Sequence, residues 1–125
     1  MYDVFAICIG ACIGALMRWQ ASLWLNPLFA IPAGTLLVNW FGGYLIGLVL
    51  GVFQALPQLE PMWRGVLITG FLGALTTFST FSAEVMGFLV SQEYLKAFFT
   101  SSLHLLGSLA LTFLGLKTAA YFWPS

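Results

Sequence analysis

Residues Gly70-Phe71-Leu72-Gly73-Ala74-Leu75-Thr76-Thr77-Phe78-Ser79-Thr80-Phe81-Ser82 place five hydroxyl side chains in seven positions, 76, 77, 79, 80 and 82. They lie inside a long apolar run, where hydrocarbon would call for Leu, Ile and Val. Hydroxyls at that depth are tolerated when they bond back to their own helix, face a partner helix or line a wet path. Five together favour the last two. Ser and Thr also compete with helical backbone bonds, and Gly70 and Gly73 permit a bend just before them. The run from Met62 to Val90 would be about 43 Å long as one helix, longer than the hydrocarbon core. An interruption, rather than tilt alone, is expected here. Such a break frees carbonyls that suit a small cation if two copies meet.

Outward from this stretch the chain is apolar almost throughout. Of 125 residues, 61% are hydrophobic and 6% charged, with a mean hydropathy of +0.99. A soluble domain carries about 25% charge, so composition alone assigns a membrane protein. The expected architecture is an all-α membrane protein with four spans, about 4–25, 31–56, 62–90 and 94–122, in a single domain over 1–125. Each span approaches or exceeds the roughly 20 residues that cross a bilayer. Trp24, Trp63, Tyr94, Tyr121 and Trp123 lie near span ends, as belt aromatics do. Met-Tyr-Asp at the start lacks the basic region of a cleaved signal, so the first span is expected to stay. With net charge zero and no basic cluster, nucleic acid is not an expected partner. Cys8 and Cys12 share a helix face without further ligands and read as packing thiols.

Charge leaves orientation open. Arg64 and Lys117 lie near one membrane face, Arg18 and Lys96 near the other, so the positive-inside rule has no bias to act on. Either one charge dominates, or the chain inserts both ways and pairs with an inverted copy.

Three spans carry a patterned face. In the first, Gly10 and Gly14 form a small-residue surface for close helix contact, with Arg18 four residues on. Arg18 reads as an anchoring charge or as a group that meets an ion. In the second, Thr35, Asn39, Gly43, Gly47 and Gly51 recur every four residues. Asn39 needs partners in lipid; a bond across a helix interface and the lining of an ion path both satisfy it. In the fourth, His104, Ser108 and Thr112 form a second polar track. Phe78 and Phe81, three apart, project to similar sides, and their positive ring edges can meet an anion or simply pack. No catalytic constellation accompanies them, so no enzyme is expected. Glu84 follows the last hydroxyl within a turn, and spacing alone does not place it at the water boundary, against Arg18 or Arg64, or on a proton path.

Taken together these motifs closely resemble the Fluc (CrcB-type) fluoride channel family over essentially the whole chain. The carriers are Gly14-Ala15-Leu16-Met17-Arg18-Trp19, Gly34-Thr35-Leu36-Leu37-Val38-Asn39 with Gly42-Gly43, and above all Gly70 to Ser82. The resemblance implies a fluoride-selective channel in the cell (inner) membrane that passively exports toxic fluoride. It implies an antiparallel, dual-topology homodimer with two pores and a structural Na⁺ at its centre. By motif position, Phe78 and Phe81 meet fluoride with their ring edges and Asn39 lines the pore. Ser79, Thr80, Ser108 and Thr112 supply hydroxyls, and Gly73 and Ala74 offer carbonyls to Na⁺. Arg18 matches the family's arginine, and His104 stands where the family varies. The competing reading is a small proton-coupled multidrug exporter that uses Glu84; it wants a carboxylate at mid-helix, whereas Glu84 is off-centre.

Overall fold

The computed structural model of the protein describes residues 2–124. All its regular elements are helical. Helix α1 spans Tyr2–Leu25 and runs on through a 3₁₀ turn, Asn26–Leu28; α2 spans Ala33–Ala55. The third span, Pro61–Val90, is composite. Its first part, α3 over residues 61–75, consists of Pro61–Arg64, a wide π-helical stretch Gly65–Leu72 and a last turn Gly73–Leu75. Residues 76–78 lie outside any helix, and α4 resumes at Ser79–Val90. Helix α5 spans Tyr94–Phe122. Four helical spans are long and apolar enough to cross a membrane.

The span bounds expected from the sequence differ at the ends for local reasons. Helix α1 begins two residues earlier, at Tyr2. Pro32 does not occupy the first turn of α2 but the position before it, with φ −66° and ψ 92°. Proline offers no side-chain acceptor, and the free amides of the first turn are capped from a distance. Asn26 Oδ1 accepts the Gly34 N–H at 2.7 Å and the Thr35 N–H at 3.3 Å. The 3₁₀ turn therefore has a purpose: it delivers the Asn26 side chain to the start of α2, where exposed backbone donors would otherwise face the membrane.

Two seams hold the spans together. Gly10 and Gly14 of α1 lie against the third span, and a Cβ at Gly14 would overlap the Phe71 carbonyl. Gly70 returns the contact against the Ile7 carbonyl. The sequence stripe on α2 forms the second seam, against α5. The two helices run parallel in a constant register, with Asn39 beside His104, Gly43 beside Ser108 and Gly47 beside Thr112. Bare glycine lets the backbones approach, which replaces the hydrophobic drive that lipid removes. Cross-helix bonds then lock the register: Trp40 Nε1 donates to the Leu103 carbonyl (2.8 Å), Thr112 Oγ1 to the Gly43 carbonyl (2.8 Å) and Tyr44 to Thr118 (3.0 Å). Between the seams, Val38, Leu72 and Leu75 form the buried apolar centre.

This packing predicts a strong positional effect on α2. A Cβ at Gly47 would overlap the Thr112 carbonyl and stand 3.0 Å from the Leu116 amide nitrogen. Gly47→Val should cost on the order of 2 kcal/mol in overpacking, read as earlier thermal unfolding in detergent. Gly87→Ala on α4, where a Cβ meets nothing within 4 Å, should leave unfolding unchanged or slightly later.

Candidate functional site

The non-helical residues 76–78 create the site because they leave backbone groups that lipid cannot satisfy. Thr76 is extended, with φ −86° and ψ 157°, and the helical ladder stops with its amide on the Leu72 carbonyl (3.0 Å). The next amide, Thr77 N–H, would close on the Gly73 carbonyl in a continuous helix. Instead it donates to Asn39 Oδ1 at 2.8 Å, and Asn39 Nδ2 donates back to the Thr77 carbonyl at 2.9 Å. One carboxamide thus clamps both polar groups of one peptide residue. This is the partner that the sequence required for Asn39, and it comes from the third span. The same Nδ2 lies 3.0 Å from His104 Nδ1.

Beside this clamp is a cavity of about 500 Å³, lined in part by Asn39, Gly73, Phe78, Phe81, His104 and Ser108. The structure therefore brings together five of the expected site residues, Asn39, Gly73, Phe78, Phe81 and Ser108, and adds His104. Phe78 and Phe81 meet edge to face, with centroids 5.5 Å apart and planes at 70°. Phe78 is 78% exposed, and Phe81 stacks on the His104 ring at 4.3 Å.

The other expected residues stand apart from this cavity. Thr80 bonds to the turn, its amide donating to Thr77 Oγ1 (3.2 Å) and its hydroxyl accepting from that same oxygen (3.1 Å). Ser79 begins α4 and is exposed. Thr112 points its hydroxyl at the Gly43 and Ser108 carbonyls, 2.8 and 2.9 Å away, so its proton serves the α2–α5 seam. Arg18 neither pairs with a carboxylate nor reaches the cavity lining. Its Nε donates to the Ala74 carbonyl at 3.0 Å, a cation at the C-terminal end of α3, where the helix dipole favours one.

Glu84 also finds a definite place. Its Oε2 accepts the Thr35 hydroxyl at 2.7 Å, and Oε1 is buried without a partner. Among the described residues the single ion pair is Glu93–Lys96, so Glu84 is joined to neither Arg18 nor Arg64. Thr35 was visible as part of the α2 stripe, but nothing local in the sequence linked it to a residue 49 positions away.

Chemically, the cavity is lined by two phenylalanine rings, an imidazole and the side chains of Asn39 and Ser108, and by no carboxylate among the described residues. Such a wall can replace part of an anion's hydration without holding it by a full charge. The family described as CrcB-like protein, Camphor Resistance (CrcB), matches residues 5–116 of the chain. The chain belongs to this family. Among similar proteins is the fluoride-specific ion channel FluC of Albidiferax ferrireducens, 61% identical over 97% of this chain and 93% of its own length. Those of Paracidovorax citrulli and Chromohalobacter salexigens, described by the same words, are each 54% identical. The first covers 97% of this chain and 96% of its own length, the second 93% and 89%. Membership of the family and the four spans make the chain a multi-pass membrane protein of the cell membrane.

The clamp predicts that Asn39→Leu leaves the Thr77 amide, the Thr77 carbonyl and His104 Nδ1 without partners. The expected loss is about 2 kcal/mol or more, measured as denaturant unfolding of the purified protein. Thr118→Val, which removes one hydroxyl bond to Tyr44, should cost well under half as much.

Proposed function

We propose that the protein is a fluoride channel that lets fluoride leave the cell down its gradient, without enzymatic turnover. The observation that carries this reading is a largely apolar cavity lined by two phenylalanine rings and a few uncharged polar residues beside a clamped, non-helical turn. The relatives bearing the name fluoride-specific ion channel support the same substrate. Fluoride is small and strongly hydrated, so short-range donors matter more than a fixed cation, which would slow release. Phe78 and Phe81 are assigned the ring-edge contacts, Ser108 a hydroxyl contact, and Ser79 and Thr80 the hydroxyls at the start of α4.

The working unit of this proposal is an antiparallel homodimer with two pores. Gly73, Ser79 and Ser82 are exposed on the third span, where hydrocarbon is a poor neighbour for hydroxyls and bare backbone. A second copy would cover them, and the balanced charges permit it to be inverted. In that arrangement the turn at 76–78 is a helix break in the membrane interior. The Gly73 carbonyl fits a structural Na⁺, since Asn39 has taken the amide that would otherwise bond it. The Ala74 carbonyl fits less well, because it already accepts from Arg18 and a cation would share that oxygen with a guanidinium. The ion's contribution would be to satisfy carbonyls where two copies meet.

Liposomes loaded with fluoride and with chloride provide the test. Expected is fast fluoride release with chloride retained, slowed at least tenfold by Phe78→Ile or Phe81→Ile. Lack of fluoride release from folded protein in Na⁺ overturns the reading; a proton-coupled exporter would instead fail on Glu84→Gln. The cation predicts a second result. Replacing Na⁺ by N-methylglucamine should lower the unfolding temperature by several degrees, as loss of a bound ligand does, and equal stability in both would argue against the site.

A further inference from the structure

The turn at residues 76–78 takes the helical donors away from two successive carbonyls at the end of α3. In a continuous helix the Gly73 carbonyl would accept the Thr77 N–H, and the Ala74 carbonyl the Phe78 N–H. Thr77 N–H goes to Asn39 Oδ1 instead, and Phe78 lies outside both helices. The Leu72 carbonyl just before them is doubly supplied, by the Thr76 amide (3.0 Å) and the Thr76 hydroxyl (2.9 Å). Ala74 receives the Arg18 Nε–H at 3.0 Å. Among the described residues no side chain replaces the amide that Gly73 has lost.

Arg18 is held to this place by its own helix. Gly14, one turn earlier on α1, packs on the last turn of α3, where a Cβ would overlap the Phe71 carbonyl and stand 2.9 Å from the Leu75 amide nitrogen. The half-buried Arg18 side chain therefore runs to the end of α3. It finds no carboxylate there: the single ion pair among the described residues is Glu93–Lys96, and Glu84 is bonded to the Thr35 hydroxyl. A guanidinium keeps its charge in proteins, and inside a membrane span a charge without a counter-ion is costly. Here the compensation is the negative end of a helix dipole. The Gly73 carbonyl, the oxygen proposed above to face Na⁺, belongs to the preceding residue. Two cations would then share one helix end, where scarce water leaves their repulsion strong.

We infer that Arg18 is a tethered cation that sets how tightly Na⁺ is held at the Gly73 carbonyl, weakening that binding by repulsion. This role rests on the Na⁺ site proposed above and deepens it. Arg18 acts on the ion through space and on α3 through the Ala74 carbonyl. A fixed charge of this kind keeps the end of α3 partly satisfied at any Na⁺ concentration.

Two variants separate the charge from the hydrogen bond. Glutamine carries an N–H at the same place along the side chain as arginine Nε, so Arg18→Gln keeps a donor and removes the charge. Arg18→Lys keeps the charge and puts a methylene where Nε stood. Full-length protein in detergent is unfolded by heat across a Na⁺ series and followed by tryptophan fluorescence, with N-methylglucamine chloride holding the ionic strength constant. The quantity read is the Na⁺ concentration that gives half the maximal rise in unfolding temperature. Expected is a value at least tenfold lower in Arg18→Gln than in the wild type, and within about twofold of the wild type in Arg18→Lys. Without Na⁺, Arg18→Gln should unfold earlier than the wild type, since a neutral donor replaces a charged one. An unchanged or raised value in Arg18→Gln overturns the role. So does a tenfold shift in Arg18→Lys, which would assign the effect to the hydrogen bond; should Arg18→Gln fail to fold, the lysine variant alone decides. A wild-type unfolding temperature indifferent to Na⁺ is a separate failure, of the Na⁺ site itself, and removes the tuning role with it.

Discussion

The structure depends on how one peptide residue in the third span is satisfied. Lipid offers no hydrogen bonds, so a chain that leaves the helix in a membrane must find internal partners for every freed amide and carbonyl. At Thr77 both come from Asn39, 38 residues away on α2. The bond pair joins the two spans at the depth of the turn. It also sets the orientation of the carboxamide, whose Nδ2 then faces His104 Nδ1 on α5. Three spans are thus tied by one side chain, and the cavity opens beside the knot.

That arrangement needs α2 and α5 to be close, which the glycine seam supplies. Gly43, Gly47 and Gly51 bring the α2 backbone against α5 in a register that also sets Asn39 beside His104. Packing and polar chemistry are therefore parts of one stripe rather than two features of one helix. The upper residues, Thr35 and Asn39, carry hydrogen bonds to the third span, to Glu84 and Thr77 respectively. The lower residues supply close backbone contact, and Gly43 adds a carbonyl that accepts the Thr112 hydroxyl. The Gly10 and Gly14 face of α1 does the same for α3, and Arg18 ends that face on the Ala74 carbonyl.

The distribution of free and occupied donors divides the polar residues into two groups. Thr76, Thr77 and Thr112 serve the fold, since their hydroxyl protons meet backbone carbonyls or Thr80, whereas Thr80 accepts from Thr77 and keeps its own proton uncommitted. Ser108 lines the cavity with a hydroxyl that the fold does not bond, and His104 stands in the same wall with Nε2 buried and unpartnered. A conducting path benefits from this division. In the proposed channel, rigid groups would hold the turn, while a few weak donors would meet the ion and let it go.

Hydropathy, the four-residue stripes and the hydroxyl cluster were sufficient to determine the membrane class, the four spans and the faces that make contact. Each is a local, periodic signal, and lipid enforces periodicity strictly because a misplaced polar group has no solvent to turn to. The motifs at Gly14–Trp19, Gly34–Asn39 and above all Gly70–Ser82 likewise carry the family resemblance in the sequence itself. What tertiary structure alone decided are the pairings across spans: Asn39 with Thr77 and His104, Thr35 with Glu84, Asn26 with the start of α2, Arg18 with Ala74. An asparagine in a stripe announces that it needs partners without naming them. The choice among neighbours is made by helix register and depth, which depend on how closely two backbones pack. For the same reason His104 read as one polar residue among three, and its contact with Asn39 emerged only once that carboxamide had been oriented by a peptide from a different helix.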